Sequence, residues 1–132
     1  MRCGQATRER REIFQLTNWQ PATIEYVKGL VDRDLLDCDE KQVALFKTCA
    51  VEPYAAPITR YGDRDTVVVV ARNGEEVIYY EDIEAGFNVS RVRPDWEILE
   101  HRCNQDELKF ALNYWIEGRT PQGRFGRAQP IE

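Results

Sequence analysis

Residues 66–115 restrict this chain to a small set of folds, because they run from several β-type segments into one amphipathic helix with only short turns between. Thr66-Val67-Val68-Val69-Val70-Ala71 is β-branched almost throughout, which suits a pleated, half-buried strand and disfavours a helix. Asn73-Gly74 comes next, where a two-residue type I′ turn needs φ > 0, so residues 75–80 are predicted to return as a second strand. Alternation within that strand places Val77 and Tyr79 on one face, Ile78 and Tyr80 on the other. Residues 87–92 and 96–101 read as two further strands joined through Pro94-Asp95. Leu108, Ala111, Leu112, Trp115 and Ile116 then recur at helical spacing, with Asn104 placed as N-cap, Glu107 at N3 and Gly118 as terminator.

Upstream, Ile24, Val27, Val31 and Leu35 keep the same spacing behind Pro21, predicting a helix over 21–36. Asp39 stands three residues before Gln42, a capping-box spacing, and Val43, Leu45, Phe46 and Cys49 supply the apolar face of a second helix at 40–50. Pro53 and Pro57 rule out a further helix beyond it, so extended chain with a short edge strand at 58–61 is expected there. The resulting fold class is α+β: an N-terminal helical pair, a four-stranded, mainly antiparallel meander, and a C-terminal helix packed on the sheet. At 132 residues this is one domain, drawn as 18–118 between a flexible arm (1–17) and a flexible tail (119–132).

The net charge of −5 is unevenly spread. Residues 1–12 and 118–132 each carry +2, and removing both from the total leaves −9 on the body. An acidic body disfavours nucleic acid and anionic membrane and favours a basic protein partner. No stretch has the roughly 20 apolar residues that span a bilayer, and the Arg-rich start lacks the apolar segment of a signal peptide, so a soluble, cytoplasmic protein is expected. Cys3, Cys38, Cys49 and Cys103 show no C-x-x-C pairing and are read as reduced thiols.

No phosphate loop, nucleophile motif, metal box or dinucleotide fingerprint is present, so no catalytic residue, cofactor or metal is assigned. The strongest candidate site is the acidic segment Glu81-Asp82-Ile83-Glu84-Ala85-Gly86, whose three carboxylates would face a basic partner, hold a hard cation, or simply solvate the end of the sheet. Gly86 is expected to permit its sharp turn. Tyr80 and Trp96 are candidate aromatic neighbours for such a surface. His101, the sole histidine, alternates with Cys103 and is the residue on which any imidazole chemistry depends. Binding residues are therefore placed at Tyr80, Glu81, Asp82, Glu84, Trp96 and His101.

The run Glu81-Asp82-Ile83-Glu84-Ala85-Gly86-Phe87-Asn88-Val89-Ser90, the Pro94-Asp95 turn, Glu97-Ile98-Leu99 and Cys103-Asn104-Gln105-Asp106-Glu107-Leu108 resemble small bacterial proteins of unassigned function, some similar to toxin-immunity proteins. The resemblance covers roughly residues 66–117 and implies a bacterial cytoplasmic binding protein; no catalytic residue is carried over from it. Arg91 and Arg93 depart from a uniformly acidic inhibitor surface. The leading expectation is thus a non-enzymatic protein-binding module of immunity type. Two others compete with it: a small enzyme or small-molecule binder with a helix–sheet pocket near His101, and a structural subunit that dimerises through its aromatic face.

Overall fold

Local capping sets the ends of the first two helices in the computed structural model, which describes residues 22–119. Thr23 accepts a hydrogen bond from Tyr26 N and opens α1, Ile24–Leu35, which buries Val27, Leu30 and Val31. Pro21, the expected arm (1–17) and residues 120–132 lie outside the described residues. Asp39 and Gln42 form the expected capping box, each side chain meeting the other's backbone N–H at 2.8 Å, and start α2, Glu40–Cys49. Gln42 Nε2 also donates to Asn113 Oδ1 at 2.9 Å, which ties α2 to the last helix.

The four strands form an antiparallel meander in the order β1-β2-β3-β4. β1 covers Ala50–Arg60, so Pro53 and Pro57 lie within a strand eleven residues long rather than in a crossing ahead of a short one. An edge position tolerates them: Pro57 turns its carbonyl away from β2 to accept from Ile98 N, where no strand N–H is needed. β2, Asp63–Asn73, is reached through Tyr61-Gly62, with φ of 53° and 83°, so this is the hairpin with positive φ at both central residues. The Asn73-Gly74 pair does not supply a type I′ turn. Asn73 pairs with Glu76, which centres the turn on Gly74-Glu75, and only Gly74 has positive φ, the II′ pattern.

β3 covers Glu76–Glu81 and β4 Gly86–Arg91. A bulge between Val69 and Ala71 turns Val70 and Ala71 together toward the helices. Residues 96–101 do not form the expected strand: only Ile98 makes bridges, parallel to Ile58 of β1 and antiparallel to Val92 just past β4. Ile98 therefore links both margins of a curved sheet. Residues 92–107 cross the sheet as a strap; Leu99 N donates to Arg91 O at 3.0 Å, and beyond it the backbone turns to side chains of the sheet. Glu100 N donates to Ser90 Oγ, Arg102 N to the Tyr79 hydroxyl, and Asn104 N to Asn88 Oδ1. From residue 100 to residue 104, every second backbone N–H thus runs to a sheet side chain.

Two apolar layers result. On one face α1, α2 and α3 (Leu108–Ile116) pack on Val68, Val70, Ile78, Tyr80, Phe87 and Val89. On the other, the strap closes over Ala56, Ile58, Val67, Val69, Val77 and Tyr79 through Ile98. The expected Asn104 cap of α3 does not form, because Asn88 engages both backbone groups of Asn104. Helix α3 instead begins after Glu107, and Asp34 of α1 accepts from Leu108 N at 3.0 Å, capping it from a neighbouring helix. Gly118 ends it as predicted: at φ 68° it allows Gly118 N to reach Trp115 O and Arg119 N to reach Tyr114 O, both bonds of a Schellman motif.

Candidate functional site

The acidic segment is a hairpin loop between β3 and β4, and its carboxylates point inward. Glu81 is 0% exposed, the Asp82 side chain 5% and Glu84 3%. A buried carboxylate needs a cation, and Arg60 at the end of β1 supplies it. Its Nη1 meets Glu81 Oε2 at 2.7 Å, its Nη2 meets Asp82 Oδ1 at 3.0 Å, and its Nε meets Asp65 Oδ2 at 3.0 Å. Burial works against the Arg60 charge, but Glu81, Asp82 and Asp65 outweigh it and hold the guanidinium pKa above its ordinary value. Burial pushes the Asp82 carboxyl up, against the Arg60 charge and a 3.1 Å bond from Ala22 N.

His101 joins this cluster from the strap, with Nε2 3.2 Å from Glu81 Oε1 and its ring edge-on to Tyr61 at 4.9 Å. Cys103 Sγ lies 3.8 Å from the same Nε2. A nucleophile–imidazole–carboxylate relay needs thiol and acid on opposite ring nitrogens, so this arrangement does not activate a thiol. Cys103 is moreover disulfide-bonded, while Cys38 and Cys49 are free, so the expectation of reduced thiols fails at Cys103. The Arg60 guanidinium occupies the centre of the carboxylates where a cation would sit. Among the described residues no group of three or more His, Cys, Asp or Glu is arranged to hold a metal ion.

The residues expected to form one surface are therefore divided among separate places. Glu81, Asp82 and His101 meet in the Arg60 cluster; Glu84 is buried beside Gln105, whose Nε2 lies 3.4 Å from Glu84 Oε1. Tyr80 faces the helices, between Tyr26 and Phe87, and burial followed by Tyr26 and Asp82 pushes its phenol up to about 12. A groove of about 530 Å³ does lie between α1 and the start of β1, lined by Glu25, Lys28, Phe46, Val51 and Val70 among others, but His101 takes no part in it.

Trp96 stands apart on the strap side and is 45% exposed. Trp96 N donates to Arg93 O at 2.8 Å, closing a turn over Pro94-Asp95, and Arg93 N donates to Glu97 O at 2.9 Å. This is a three-residue hairpin loop whose last residue takes the left-handed conformation, and Trp96 does so with φ 72°. The indole is held on one face by the Arg72 guanidinium, 3.9 Å from its centroid, and by the edge-on ring of Tyr54 at 6.3 Å. Arg72 is fixed in turn by a 2.7 Å bond from its Nε to Gly74 O. Sequence reasoning did not find Arg60, Arg72 or Tyr54, since nothing local distinguishes them; Tyr61-Gly62 did carry a turn signal.

No protein-family model, curated protein or solved structure matches this chain. Among the described residues no helix is long and apolar enough to cross a membrane.

Proposed function

We propose that this chain is a non-enzymatic protein-binding module whose contact surface is centred on Trp96 in the strap, with the immunity-type inhibitor as its specific form. The observation that carries the reading is a bulky aromatic residue, 45% exposed, in a left-handed backbone conformation. That conformation costs a non-glycine residue roughly 1–2 kcal/mol, and glycine would make the same turn without it. A residue that strains its own turn and leaves much of its ring in solvent serves something besides the turn. Its company supports the reading, because tryptophan, tyrosine and arginine are the types that dominate binding energy at protein interfaces. The inward-facing Glu81, Asp82 and Glu84 contribute a rigid support and no contact surface.

Affinity capture from the native cell tests this with wild type and Trp96→Gly side by side. Trp96→Gly is expected to melt at the same temperature or higher and to lose a partner that wild type retains. An identical set of retained proteins from both would remove Trp96 from the binding surface.

A further inference from the structure

We infer that the Trp96 site takes an acidic side chain of the partner protein, with Arg72 as the receiving cation. The inference rests on the binding reading above and names the chemistry of the same site. Most of the arginines in the body of the fold are committed to carboxylates: Arg33 to Asp34, Arg60 to Glu81 and Asp82, Arg64 to Glu97, Arg91 to Glu100. Arg72 is different. Among the described residues it has no carboxylate partner; its Nε is spent on Gly74 O and its plane lies on Trp96, leaving the two terminal nitrogens as donors. A guanidinium pinned on both counts loses little freedom on binding and presents a fork that matches a carboxylate.

Tyr54, whose ring meets the indole edge-on at 6.3 Å and whose hydroxyl is buried, backs the site from the protein side. The acid within the turn, Asp95, is engaged locally, since its Oδ1 accepts from Glu97 N at 3.1 Å and lies 4.0 Å from Arg93 Nε. The site is thus cationic although the chain's net charge is −5.

Two displayed libraries of linear peptides, one with a fixed central Glu and one with a fixed central Lys, would be panned on the full chain as wild type, Arg72→Gln, Arg72→Lys and Trp96→Gly. Wild type is expected to enrich the Glu library only. The selected peptides should bind Arg72→Gln about tenfold or more weakly, as loss of a charge-assisted pair implies, and Arg72→Lys at an intermediate level. Binding should also weaken as salt is raised. Enrichment of the Lys library, equal binding to Arg72→Gln, or enrichment from neither library overturns the acidic-partner inference. Peptides that need Trp96 but ignore Arg72 and the fixed charge overturn it while leaving the Trp96 surface in place, so the two readings fail separately.

Discussion

Arg60 illustrates how one side chain changes the meaning of a whole segment. Three carboxylates in Glu81–Glu84 resemble a solvated loop until a guanidinium 1% exposed is placed against two of them. Replacing Arg60 by Met leaves Glu81 and Asp82 buried without their cation, which should destabilise the fold by about 3–5 kcal/mol. Urea denaturation measures this directly, and a loss below about 1 kcal/mol would mean that the acids reach solvent after all. Glu81→Lys should be at least as damaging, since it sets two cations face to face. Distance along the chain hid the cluster from sequence reasoning: Arg60 and Glu81 are 21 positions apart, and no periodicity links a strand end to a later hairpin.

The strap, residues 92–107, is the element that most distinguishes this sheet. At Gly86 a Cβ would stand 2.3 Å from Asn104 O and 2.5 Å from Gln105 Cα, both backbone atoms. Gly86 is thus required by close approach of the strap, while the left-handed turn residue beside it is Ala85, at φ 63°. Gly86→Ala should cost about 1–3 kcal/mol, read from the denaturation midpoint, because the strap must move off β4. Glu100 fastens the other end. Burial pushes its carboxyl up, but Arg91 N, the Arg91 guanidinium and Arg102 outweigh that and hold it below the usual value. A carboxyl depressed on folding stabilises above its unfolded pKa, about 4.3, and that contribution is lost as pH falls through the folded value. Stability of Glu100→Gln should therefore fall less steeply with acid than wild type over this range; parallel curves would contradict the strap anchor. Asp82, with its carboxyl raised, works in the opposite sense and weakens its contribution as pH rises. The α2 capping box was legible because Asp39 and Gln42 are three residues apart. The strap was not, because its hydrogen bonds run to Tyr79, Asn88 and Ser90 on the sheet, and neither was β1, because two prolines argue against a strand unless its edge position is known.

At the scale of the whole molecule, the helices cover one sheet face and the strap the other, with Ile98 bridging both sheet margins. The α+β class and the antiparallel meander come from periodicity and turn residues, which act locally; the closure across the second face depends on contacts that form only once the sheet exists. This layout buries the acids at one end of β2 and leaves Trp96 with Arg72 near the other. The central claim, that binding occurs on the strap turn and not on the acidic hairpin, is tested most directly by amide hydrogen exchange of the full chain with and without its captured partner. New protection is predicted in peptides covering residues 72–75 and 92–99. Protection confined to residues 81–86 or to the helices would contradict it.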